Sequence, residues 1–181
     1  MWRRRFSPRF DNRRKDATMF PSHLLDLAQE VLTKAKAKGW TLATAESCTG
    51  GLVAATLTEV PGSSAAVDRG FVTYANQAKQ DLLGVTPSTL VDHGAVSEPT
   101  AAQMAEGARL RASVTLAVSI TGVAGPGGGT PQKPVGTVCF GLSVEGRPVF
   151  TQTRLFNGDR TAIRLQAAEH ALTLLLGALE A

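Results

Sequence analysis

Trp40-Thr41-Leu42-Ala43-Thr44-Ala45, then Glu46-Ser47-Cys48-Thr49-Gly50-Gly51, then Leu52 to Val60: the run reads as a buried strand, a tight glycine-rich turn and a helix. A turn of this kind leaves backbone N–H groups at the helix start without partners and aimed at a ligand. Gly50 and Gly51 let that ligand approach the backbone. The amides suit either a phosphate or the oxyanion of a tetrahedral intermediate. The same pattern, met alone, also describes a simple capping turn.

Working outward, Leu24, Leu25, Ala28, Val31, Leu32 and Ala35 keep the helical period, with Ser22 as the expected cap and Gly39 as the stop. Pro61-Gly62-Ser63-Ser64 closes the helix after the turn, and residues 70–74 read as the next strand. Helices are expected over 76–83 and 87–93, and from Ser97-Glu98-Pro99 to Ala112, before a continuous apolar strand over 114–121. Residues 122–136 hold six Gly and three Pro in 15 positions, too many turn formers for regular structure. An ordered loop of that length usually has a function. Residues 137–144 and 148–156 flank Glu145-Gly146-Arg147 as a hairpin. Asp159 is placed to cap a last helix reaching Leu179, whose inner side carries Ile163, Ala167, His170, Ala171, Leu174 and Leu175. Helices alternating with strands, plus one hairpin, predict an α/β fold: a three-layer α/β/α sandwich with a mixed, mostly parallel sheet.

A chain of 181 residues with 43% apolar content fits one core. Its net charge of +4 is misleading, because residues 1–18 hold seven of the 19 basic side chains and two of the 15 acids. The remaining 12 basic and 13 acidic residues give a body that is not basic, so no nucleic-acid partner is expected. Residues 1–18 lack apolar periodicity and read as a disordered basic arm, an extended start or an expression artefact, with residues 19–181 as the domain. No apolar h-region follows those charges, and no run is long enough to span a membrane, so a soluble, cytoplasmic protein is expected. Cys48 and Cys139 lie far apart, and His23, His93 and His170 lack ligand spacing, so no metal is expected. The apolar outer positions of the last helix point to self-association, as a dimer.

Ser47 is a poor nucleophile without a base. The histidines signal no Ser-His-Asp arrangement. Tyr74 ends a strand and Lys79 lies in the first turn of the next helix, so both can face the strand ends where Ser47 sits. Lysine acts as a base when desolvation lowers its pKa, and a tyrosine can relay the proton. A surface lysine and a packed tyrosine fit the position equally well. Cys48 is the rival nucleophile, since a helix start lowers a thiol pKa, although a cysteine among small residues is more often buried and inert. Glu46 and Glu98 are the acids nearest the strand ends; either can orient a polar ligand group or serve as a cap.

Five blocks now resemble one family. They are residues 44–51 (TAESCTGG), residues 70–74 (GFVTY) with Asn76 and Lys79, residues 93–98 (HGAVSE), Gly122-Val123-Ala124-Gly125-Pro126 with residues 133–137 (KPVGT), and Gly158-Asp159-Arg160. In order and spacing they resemble the C-terminal domain of competence/damage-inducible CinA proteins over about residues 22–178. The family includes stand-alone nicotinamide-nucleotide amidohydrolases. The resemblance implies hydrolysis of nicotinamide mononucleotide to nicotinic acid mononucleotide and ammonia, in pyridine-nucleotide recycling, without a cofactor. It implies Ser47 as nucleophile with Tyr74 and Lys79 as activating partners, Lys79 acting directly or through Tyr74. It implies substrate contacts from Glu46, from the amides of Thr49, Gly50 and Gly51, from Asn76, and from Thr121, Gly122, Ala124 and Gly125. Arg160 or Arg164 is the expected phosphate partner, since a guanidinium grips phosphate with forked donors. The basic arm departs from the family pattern, and the N-terminal domain of longer CinA proteins is missing. The alternative is a non-catalytic nucleotide-binding accessory protein in competence or DNA-damage responses. An amidohydrolase of some other amide is a third reading.

Overall fold

The computed structural model describes residues 19–181, so the expected basic arm lies outside the described residues. Five strands form one sheet: β1 Leu42–Glu46, β2 Val67–Val72, β3 Leu116–Gly122, β4 Thr137–Val144 and β5 Phe150–Leu155. Their order is β2-β1-β3-β4-β5. β1 pairs in parallel with β2 and β3, whereas β4 pairs antiparallel with β3 and β5. Four strands therefore run one way, and β4 alone opposes them. The mixed α/β sandwich expected from the sequence is the fold observed.

Side chains alternate across a strand, and here the two faces differ in size. Leu42, Leu116, Val118, Ile120, Val138, Phe140 and Leu142 join one core with the helices α1 Ser22–Lys38, α2 Leu52–Glu59 and α6 Arg160–Glu180. The opposite face presents Ala43, Ala45, Ala117, Ser119 and Gly141. Small residues let α5, Glu98–Ala112, lie close to the sheet: a Cβ on Gly141 would stand 2.3 Å from the Ala101 carbonyl oxygen. Ser119 Oγ donates to that same oxygen at 2.6 Å. The shorter α3 Asn76–Leu83 and α4 Pro87–His93 complete that layer against α5.

Three local expectations shift. Ser22 is the first helical residue and caps nothing; Pro21 flanks the helix with φ −54° and no side-chain cap, since its ring already fixes the entry angle. The strand expected at 70–74 begins three residues earlier, because the register to β1 starts at Val67. The apolar outer positions of α6, Leu165 and Leu176, pack onto the core, and the exposed large apolar side chains include Val91, Leu110, Phe150 and Leu155 instead. Gly39, Ser97 and Asp159 act as expected. Gly39 is left-handed, and the Ser97 and Asp159 side chains accept from Thr100 and Ala162 N–H. Among the described residues no helix is long and apolar enough to cross a membrane.

From β1 the chain leaves through α2 to β2 on one side; from β2 it returns through α3, α4 and α5 to β3 on the other. The C-terminal ends of β1 and β3 are thus a topological switch point, where open α/β sheets form a crevice.

Candidate active site

Ser47 follows β1 directly and donates its N–H to the Ile120 carbonyl at 2.9 Å, which pins the turn to the end of β3. Lys79, in the first turn of α3, points back under that turn. Its side chain is 1% exposed, and Nζ lies 3.1 Å from Ser47 Oγ, 2.8 Å from the Thr73 carbonyl and 3.4 Å from the Tyr74 carbonyl. Burial pushes this amine below the ordinary lysine value, because low-dielectric surroundings disfavour the charged form. A neutral amine has two protons and one lone pair. The two carbonyls match the protons, and the lone pair is left for the serine hydroxyl.

The Tyr74 phenol stands apart from the direct contact between Ser47 and Lys79. Its ring is 61% exposed, and its hydroxyl accepts a hydrogen bond from Arg160 Nη2 at 2.9 Å, so the phenol does not stand between Ser47 and Lys79. The Tyr74 backbone reaches Lys79 instead, through its carbonyl. Cys48 is buried, and that burial pushes its thiol up to about 11, so it is protonated at neutral pH and unsuited to compete as nucleophile.

The turn departs from expectation in its free amides. Gly50 N–H closes the turn onto the Ser47 carbonyl at 3.0 Å. Gly51 N–H donates to Glu46 Oε2 at 3.0 Å. Neither is available to a substrate. Gly50 and Gly51 serve through backbone shape, with φ of +61° and +96°. The N–H groups of Cys48 and Thr49 take no backbone acceptor and face the Cys48 thiol. The Thr49 side chain is fully buried, with its hydroxyl unpartnered.

Of the two readings of Glu46, ligand group or cap, the structure shows the cap. Glu46 is fully buried, and its carboxylate accepts from Gly51, Val53 and Ala54 N–H at 3.0, 3.1 and 2.8 Å and from the Thr44 hydroxyl at 3.1 Å. A negative charge at the start of α2 satisfies donors that the helix cannot. Glu98 faces the opposite way and accepts from Thr151 and Thr153.

A cleft of about 230 Å³ opens over Ser47 and Lys79. Tyr74, Asn76, Thr121, Gly122, Ala124 and Arg160, all candidates from the sequence, line it. Cys48, Ala95 and Val96 line it too. Alanine and valine carry no chemistry that a sequence reading can catch. Their place follows from the Thr121 hydroxyl, which donates to the Ala95 carbonyl at 2.7 Å and draws that segment to the end of β3. Gly125 stands behind the wall, where its carbonyl accepts from Arg160 Nη1 at 2.8 Å. Arg164 does not line the cleft; its guanidinium binds the Cys48 and Thr49 carbonyls. Among the described residues no group of three His, Cys, Asp or Glu side chains is placed to hold a metal.

Fold and site together define an α/β sandwich with a serine and a buried lysine paired in a cleft at the switch point. Residues 24–179 match the CinA C-terminal domain, and the chain belongs to that family. A nicotinamide-nucleotide amidohydrolase PncC of Enterobacter agglomerans is 51% identical over 158 residues, covering 87% of this chain and 96% of that protein. The PncC of Escherichia coli K12 is 50% identical over 157 residues, covering 87% and 95%. A putative competence-damage inducible protein of Symbiobacterium thermophilum is 54% identical over 146 residues, but the match spans only 34% of that longer chain. In structure, the competence/damage inducible protein CihA from Agrobacterium tumefaciens superposes with a TM-score of 0.87 at 48% identity, covering 91% of this chain and 100% of that one.

Proposed function

We propose that this chain is a nicotinamide-nucleotide amidohydrolase that converts nicotinamide mononucleotide to nicotinic acid mononucleotide and ammonia in pyridine-nucleotide recycling. Two relatives of matching length carry the name nicotinamide-nucleotide amidohydrolase at 50–51% identity. The observation that carries the chemistry is the 3.1 Å approach of a buried lysine amine to Ser47 Oγ.

In the proposed cycle the neutral Lys79 amine takes the Ser47 hydroxyl proton as Oγ bonds to the carboxamide carbon. The carbonyl electron pair moves onto oxygen, where the Cys48 and Thr49 N–H groups receive it. Collapse breaks the C–N bond, and the Lys79 ammonium returns the proton to the departing ammonia. A water then gives a proton to Lys79, attacks the ester and frees the acid, restoring the Ser47 hydroxyl. Tyr74 and Asn76 are assigned to hold the substrate in the cleft. Arg160, exposed at the rim between Tyr74 and the 123–136 loop, is assigned to the phosphate.

Cys48 and Cys139 are both free, which suits a reducing compartment such as the cytoplasm. Self-association as a dimer belongs to the same proposal, with exposed Phe150 and Leu155 on β5 as the apolar groups to cover. Sedimentation velocity checks it: twice the 19.0 kDa chain mass supports it, and a monomer at all concentrations ends it.

Incubation with nicotinamide mononucleotide, reading ammonia and nicotinic acid mononucleotide together, tests the activity. One ammonia per acid is expected. Nucleotide binding without ammonia would favour the accessory-protein reading, and ammonia from other amides alone would make this a different amidohydrolase.

A further inference from the structure

The back of the nucleophile turn is held from α6 by one side chain. Arg164, one helical turn beyond Arg160 and half-buried, donates from Nε to the Cys48 carbonyl at 3.1 Å and from Nη2 to the Thr49 carbonyl at 2.7 Å. A guanidinium is planar with fixed, forked donors, so it holds two acceptors in a set relative direction. The two acceptors here belong to consecutive peptide units, and both planes are therefore fixed. Leu52 N–H also reaches the Thr49 carbonyl, at 3.3 Å, whereas among the described residues the Cys48 carbonyl is bound by Arg164 alone.

In a trans peptide the C=O and N–H point opposite ways. Drawing the Cys48 carbonyl toward α6 turns the Thr49 N–H away from α6, to the side of the Cys48 sulfur, in a residue that lines the cleft. Gly50 leaves room for this clasp, because a Cβ there would already touch Arg164 Nη2 at 3.4 Å. Among the described residues Arg164 has no carboxylate at ion-pair distance, so its charge stays behind the same amides. That placement favours negative charge on the cleft side of the turn.

We infer that Arg164 is a positioning residue for the hydrolysis: it touches no substrate atom and aims the Thr49 N–H at the oxyanion formed when Ser47 attacks. The inference rests on the amidohydrolase reading and removes Arg164 from the phosphate site, which is left to Arg160.

Steady-state kinetics of Arg164→Ala and Arg164→Lys on nicotinamide mononucleotide and on nicotinamide riboside, which lacks the phosphate, test it. Arg164→Ala should lose about 10²-fold in kcat, the scale of one misplaced oxyanion donor, with KM within about threefold. The loss should be equal on both substrates. Arg164→Lys should recover less than about tenfold, since one ammonium cannot hold two diverging carbonyls at fixed angles. Added guanidinium ion should restore part of the kcat of Arg164→Ala and none of Ser47→Ala, a response that general loosening of the fold would not give. If Arg164→Ala fails to fold, Arg164→Gln, which keeps one donor, should show the same kcat-specific loss. A rise in KM confined to the phosphorylated substrate, or an unchanged kcat in a folded variant, would overturn the inference while the amidohydrolase reading stands. Wild-type protein that releases no ammonia from either substrate would end both.

Discussion

Lys79 concentrates the chemistry of the cleft in one atom. Its Nζ is surrounded by two carbonyls and a hydroxyl, and among the described residues no carboxylate bonds it to hold it protonated. Lys79→Ala should slow ammonia release by about two to four orders of magnitude, the scale of a lost general base. The sign of the pH dependence follows from the direction of the shift. In the proposed cycle the neutral amine is the working form, and burial lowers its pKa, so kcat/KM should rise with pH through a limb lying below the ordinary lysine value. A pH–rate profile checks this, and the residual activity of Lys79→Ala should lack the limb. Tyr74→Phe loses one hydrogen bond to Arg160 and should cost about tenfold or less, well short of Lys79→Ala. Equal losses in the two variants would restore the phenol as a proton relay. These residues were readable in the sequence as types and spacings, but not as contacts. Which atom of Tyr74 faces Lys79 depends on how α3 leaves the end of β2, and nothing in the local sequence sets that angle.

At the level of elements, the turn between β1 and α2 depends on a fully buried acid. Glu46→Gln replaces a carboxylate accepting three backbone N–H groups with an amide that can face them with only one oxygen. It should lower the stability of the folded protein by about 2–4 kcal/mol, read from urea unfolding, because hydrogen bonds to a buried charge are the strong ones. Gly141→Ala tests the other face of the sheet. Its Cβ would meet the Ala101 carbonyl, so α5 must move away, at about 1–3 kcal/mol and with a lower thermal midpoint. The helices α3 and α4 were legible to the residue, since Pro, Gly and polar starts mark their ends. The start of β2 was not, because Val67-Asp68-Arg69 reads as loop and becomes strand only by pairing with β1. The choice between ligand group and cap for Glu46 stayed open for a related reason. An acid beside a nucleophile looks the same in sequence whether it faces the ligand or the helix start behind it.

For the whole molecule, strand order does what no single motif can. Placing β1 between β2 and β3 brings Ser47, Lys79 and Thr121 to one crevice from three separate segments. The α6 helix then crosses from the far end of the chain to hold the turn and the rim with Arg164 and Arg160. The class of fold was legible because strands and helices alternate with clear punctuation. The roles of the two arginines were not, since four residues on one helix separate a group at the rim from a group behind the turn. The central claim is that Ser47 attacks the carboxamide, and the rate of ammonia release by correctly folded Ser47→Ala tests it most directly. The expected rate is at least about 10³-fold below wild type; a rate within about tenfold of wild type would rule out Ser47 as the nucleophile.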